Sequence, residues 1–101
     1  MKNGIYVELI NLLKANRSQL DRLIKEKVVE LRYSLTYHAT DESTCGEPIT
    51  INSFRDLTQS ITDLFDYIED SNCSEIDYMD LIWHEPNKPV NPYDCIHFMD
   101  K

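Results

Sequence analysis

A chain of 101 residues and 11.9 kDa has room for one hydrophobic core, and 42% apolar with 28% charged residues is ordinary globular composition. Eighteen acids against ten bases leave a formal charge of −8 and a pI near 4.7, which argues against a protein whose main task is to neutralise nucleic-acid phosphates. No run reaches the ~20 apolar residues of a membrane span, and the first residues lack the apolar stretch of a signal peptide, so a cytoplasmic location with no membrane partner is expected.

The first element is helical. Ile5, Leu9, Leu12 and Leu13, then Leu20, Leu23, Ile24 and Val28, recur at intervals of three and four, the period of a helix face. Asn16 interrupts this stripe, with Ser18 placed to cap a second helix and Asp21 three residues beyond it. A straight helix over 5–28 would be ~36 Å long at ~1.5 Å per residue, longer than the ~30–35 Å expected for the whole domain. The helical region 5–28 is therefore expected to break near 16–18.

Beyond Val28 the period changes to two. Leu31, Tyr33, Leu35, Tyr37 and Ala39 alternate with Arg32, Ser34, Thr36 and His38, as in a half-buried strand. Thr40 to Pro48 is polar, and Ile49-Thr50-Ile51 reads as a returning strand, so residues 30–51 are expected to form a hairpin with a loose loop. Ser53 and Asp56 then make a Ser-x-x-Asp box at the start of a helix over 53–70. Its core face is Phe54, Leu57, Ile61, Leu64, Phe65 and Ile68, and Ser71-Asn72 ends it. Residues 75–85 are ambiguous between helix and strand, and a strand from about Tyr78 is favoured because Met79, Leu81 and Trp83 alternate. Pro86, Pro89 and Pro92 imply an extended loop over 86–92 without regular hydrogen bonds, and Tyr93 to Met99 reads as a last short strand, which places the final strands within 76–99. The expected fold class is a small single α+β domain with two helical regions on an antiparallel sheet of three or four strands, in the order α-β-β-α-β-β.

Chemical motifs are few. Cys45, Cys73 and Cys95 are odd in number and widely spaced, so reduced thiols are expected rather than a disulfide framework. Zinc normally takes close pairs such as C-x₂-C, which are lacking. Cys45, Cys95 and His97 with His38 or His84 could be assembled only by chance of folding, so neither metal nor cofactor is expected. Asp70-x-Asn72-x-Ser74 begins like a calcium loop but has Glu75 and Leu81 where glycine and glutamate belong. No cysteine stands in a nucleophile motif, and Gly4 and Gly46 are the only glycines, so there is no phosphate-cradling loop and no enzyme is expected.

Charge carries the functional content. Residues 1–35 hold seven bases and four acids, a net of +3, while residues 36–101 hold three bases and fourteen acids, a net of −11. On the second helix Asp56, Asp63 and Asp70 repeat every seven residues, with Asp66 between them, and these share one side away from the apolar face. Glu69, Glu75, Asp77 and Asp80 are expected to extend this patch. Neighbouring carboxylates on a helix lie ~5–6 Å apart, close to the phosphate spacing of a nucleic-acid strand. Such a face suits the basic surface of a nuclease or other nucleic-acid-handling protein, blocked without direct contact to nucleic acid. By analogy of size, acidity and layout, phage-encoded inhibitors of bacterial defence nucleases (the anti-CRISPR kind) are the leading expectation, and immunity proteins that neutralise nuclease toxins come second. The rivals are a solvated face on an oligomeric adaptor subunit, with a homodimer left open, and a DNA-binding regulator using the basic segment 14–32. The last would need a helix-turn-helix, and residues 13–31 lack its turn glycine.

Overall fold

The structure is a computed structural model that describes residues 4–71, 74–89 and 94–100. In chain order the elements are α1 (Gly4–Ala15), α2 (Arg17–Glu26), β1 (Val28–Tyr37), β2 (Ser43–Cys45), β3 (Ile49–Ile51), α3 (Phe54–Ser71), β4 (Ser74–His84) and β5 (Cys95–Asp100). The strands form one antiparallel sheet, β2-β1-β4-β5, with β3 on the same edge of β1 as β2. The α+β class is as the sequence implied. Asn72, Cys73, Pro92 and Tyr93, which several expectations invoked, lie outside the described residues.

The first helical region does break, and the cause is local. The molecule is 40 Å along its longest axis, so a straight helix would have fitted. Instead the Asn16 amide Nδ2 donates to the Leu12 carbonyl at 2.9 Å, and the Asn16 backbone N–H is shared between the carbonyls of Leu12 and Leu13. That satisfies the end of α1 and turns the chain after a single non-helical residue. Asn16, not Ser18, occupies the N-cap position of α2, without a side-chain cap bond. The buried face of α1 is Leu9 and Leu13 flanked by Tyr6 and Ile10, while Ile5 and Leu12 of the expected stripe are exposed.

Strand β1 is the centre of the fold. It pairs with β4 along its whole length, Val28 opposite His84 through Tyr37 opposite Ser74. Alternation sends Val29, Leu31 and Leu35 of β1, and Ile76, Met79 and Leu81 of β4, to one face, where they join Leu9, Leu13, Leu20, Phe54, Leu57, Ile61, Leu64 and Phe65 in a single core. Leu31, Leu57, Ile61, Met79 and Leu81 are fully buried. All three helices therefore cover one face of the sheet, and the opposite face, on which Ser34 and Ile82 are nonetheless buried, carries no helix among the described residues. Tyr6 fixes α1 to α3, its hydroxyl 2.8 Å from the Thr62 hydroxyl and its ring edge-on to Phe65 at 5.2 Å.

Three boundaries differ from expectation. Strand β4 starts at Ser74, four residues before Tyr78, because a bulge between β1 residues Ser34 and Leu35 lets Asp77 be skipped and keeps Ile76 on the core face. The returning arm of the hairpin is two strands, β2 and β3. The all-exposed Ser43–Cys45 gives no apolar signal, and Gly46 to Pro48 separates the two. The proline-rich loop opens on a hydrogen-bonded turn, the Lys88 N–H donating to the Glu85 carbonyl at 3.1 Å, with Pro86 second and Asn87 third at φ 66°, the arrangement of a type II turn. Around that turn Glu85 meets Lys88 at 2.7 Å and Lys27, just after α2, at 3.2 Å, and these hydrogen bonds hold its carboxyl below the ordinary carboxylate range.

Candidate functional site

The outward face of α3 is set by its cap. The Asp56 backbone N–H donates to Ser53 Oγ at 3.0 Å, and the Asp56 carboxylate accepts from the Asn52 N–H at 3.0 Å, a reciprocal cap shifted by one residue from the usual box. With Leu57, Ile61 and Leu64 fixed inward, Asp63 and Asp70 are exposed and Asp56 and Asp66 are half-buried. Asp63 accepts from Gln59 Nε2 at 2.9 Å. Glu69 is exposed on the flank of the helix. Asp56 is thus a structural carboxylate as well as a member of the face.

One residue of this face was not anticipated. Tyr67 lies four residues after Asp63 and three before Asp70, off the apolar face, and is 50% exposed. With Leu64 it borders a cavity of about 270 Å³ whose other walls are Tyr33, Leu35, Tyr37, Thr44 and Gly46. The signal was present in the sequence: a tyrosine out of phase with the core stripe, among aspartates.

The strand carboxylates do not continue the patch. Asp80 stands between the fully buried Met79 and Leu81, and Glu75 between buried Ser74 and Ile76, so alternation puts both on the helix-free face of the sheet. Asp77, at the bulge, accepts from Ser43 Oγ at 3.4 Å, and Glu75 lies 3.9 Å from His38 Nε2. Asp56, Asp63, Asp66, Glu69 and Asp70 therefore face one way, and Glu75, Asp77 and Asp80 the other. Adjacency in sequence is lost here because β4 lies in the layer behind α3.

The helix-free face has its own chemistry. Tyr78 Oη lies 3.7 Å from Cys45 Sγ, and this contact, with burial next, pushes the phenol up from its ordinary value. Asp80 is paired across to Arg32 on β1 and to His97 on β5. Its Oδ1 accepts from His97 Nδ1 at 2.7 Å, and His97 Nε2 lies 3.8 Å from Cys95 Sγ. Among the described residues no group of three metal-ligating side chains converges.

The basic segment is divided as well. Arg17 stacks over Phe54 at 4.8 Å and meets Asp21 at 3.6 Å, Lys27 is bound to Glu85, and Arg32 is on the sheet face away from α2. No helix among the described residues is long and apolar enough to cross a membrane. Among the described residues the architecture defines a one-sided α+β sandwich, three helices on a five-stranded antiparallel sheet, with the acidic helix α3 packed on β3 and β4 and against both other helices. No family model, curated protein or solved structure matches the chain.

Proposed function

We propose that this chain is a protein-binding inhibitor whose α3 face docks on the basic, nucleic-acid-binding surface of a nuclease or related protein and occludes it. The observation that carries this reading is Tyr67, half exposed between Asp63 and Asp70 and beside the tyrosine-walled cavity. A merely solvated face gains nothing from an exposed aromatic, whereas tyrosine ringed by charge is a common interface anchor. The adjoining carboxylates supply steering toward a positive partner. The contact set is Asp63, Asp66, Glu69 and Asp70 around Tyr67, with Asp56 at its margin. The reading carries with it a cytoplasmic site of action and a phage or mobile-element origin of the anti-CRISPR kind. Use of segment 14–32 on DNA is less favoured, since Arg17, Lys27 and Arg32 are held on different surfaces.

The test is a charge reversal that spares the cap. Asp63→Lys, Asp66→Lys and Asp70→Lys together leave the core face of α3 intact, so the variant should melt within a few degrees of wild type. Wild type immobilised on a column should retain a nucleic-acid-binding protein from host lysate, release it when duplex DNA or RNA is added, and the triple variant and Tyr67→Ala should retain at least about tenfold less, as loss of close charge pairs worth a few kcal/mol requires. Equal retention by the triple variant, or retention that nucleic acid does not compete, overturns the proposal.

A further inference from the structure

Independently of the acidic helix, the helix-free face of the sheet aligns a thiol, an imidazole and a carboxylate. Cys95 and His97 are two apart on β5 and so project from the same face. Cys95, Ile96 and His97 pair in unbroken register with Ile82, Leu81 and Asp80 of β4, so His97 stands directly opposite Asp80, and the register shifts only beyond this run, where Phe98 is the extra residue before Met99 meets Met79. The three groups stand in line rather than around a point. Asp80 Oδ1 is 2.7 Å from His97 Nδ1, and Cys95 Sγ is 3.8 Å from His97 Nε2. A carboxylate that accepts the Nδ1 proton leaves the Nε2 lone pair toward the sulfur, which is the order nucleophile, base, orienting group. The same linear order is wrong for a metal, whose ligands must converge. Asp80 is the well-held member, its side chain 19% exposed, while the His97 side chain is 66% exposed and the thiol is partly open.

We propose that Cys95 is a base-activated modification site for small soft carbon electrophiles such as α,β-unsaturated carbonyl compounds, with His97 as the base and Asp80 as the residue that positions it. In the reaction His97 Nε2 takes the thiol proton and the sulfur pair forms an S–C bond at the β-carbon. The displaced π electrons move to the α-carbon, and the imidazolium returns the proton there, so the addition is complete without a further reactant. With a haloacetamide the sulfur instead displaces halide from the CH₂ carbon and His97 keeps the proton. The site lies on an open sheet face, which suits a compact reagent that needs no enclosing cleft.

Iodoacetamide is the probe. The intact chain is labelled at neutral pH under excess reagent, and the rate at Cys95 is read by peptide mass spectrometry in the folded protein and in the same protein in urea. Folded Cys95 should react at least about tenfold faster than unfolded Cys95, the lower range of what a positioned base contributes being larger still. His97→Gln should abolish that acceleration and Asp80→Asn should reduce it, with the rate at Cys45 unchanged as the check that the fold persists. The His97 imidazole should show the Nδ1-protonated tautomer by ¹⁵N NMR in wild type and lose it in Asp80→Asn, a signature that a purely structural aspartate would not move. A folded Cys95 no faster than the unfolded one, or a His97→Gln variant as fast as wild type, overturns the proposal. Because the first comparison needs only wild-type protein, a variant that fails to fold does not remove the test. None of these readouts depends on a macromolecular partner, so failure here leaves the acidic-face reading untouched, and the converse holds.

Discussion

Gly46 shows what one residue decides at the hinge between β2 and β3. Its N–H donates to the Tyr33 carbonyl at 3.1 Å, and a Cβ added to it would run into the Tyr33 ring. Glycine is required there by close approach, not by backbone angle. Tyr33 also walls the cavity beside Tyr67, so the same contact shapes the binding face. Gly46→Ala is expected to destabilise the domain by about 1–3 kcal/mol, the range for forcing extra volume into a packed site, measured by urea unfolding. A loss below about 0.5 kcal/mol would mean that the Tyr33 ring simply swings aside. Asn16 acts on a similar scale: one side-chain amide bonded to the Leu12 carbonyl turns a continuous apolar stripe into two helices.

At the scale of elements, α3 is the helix best defined by its own sequence, because its cap, its apolar face and its charged face agree. The aspartates on it are not equivalent. Asp56 accepts a backbone hydrogen bond at the N-terminus of the helix, whereas Asp63 accepts from the Gln59 side chain one turn before it. Asp56→Ala should therefore cost about 0.5–2 kcal/mol, as lost caps do, while Asp63→Ala should stay within about 0.5 kcal/mol of wild type. Thermal unfolding of the two variants side by side measures this, and equal losses would contradict the capping role. Strands β2 and β4 teach the opposite lesson. Ser43–Cys45 is fully exposed and has no pattern to read, and the bulge at Asp77 breaks the alternation that would have shown β4 beginning at Ser74. Both are fixed by pairing to β1.

For the whole molecule the governing fact is one-sided layering combined with a charge of −8. With the helices on a single face, the acidic α3 looks outward on one side while Glu75, Asp77 and Asp80 look outward on the other. Like charge is thereby spread over two surfaces, which lowers the repulsion but not the net charge that drives it. The screening length falls from ~30 Å at about 10 mM salt to ~8–10 Å near physiological salt, so raising NaCl from about 10 to about 200 mM should raise the melting temperature by a few degrees. A fall would indicate that pairs such as Lys27–Glu85 outweigh the net repulsion.

The α+β class, the order of the elements apart from β2, the core residues of β1 and α3, and the outward phase of Asp63, Asp66 and Asp70 are legible in the local sequence. Each of these follows from a periodicity or a cap that acts within a few residues of chain. Packing across the sheet is what separates the strand carboxylates from the helix patch, sets Tyr67 beside a cavity walled largely by β1, and puts Cys95, His97 and Asp80 in line. Cys95 and His97 are neighbours in sequence, but Asp80 reaches them through the register of β5 on β4. Register depends on bulges and on burial across the whole sheet, and a bulge of one residue redirects every side chain after it.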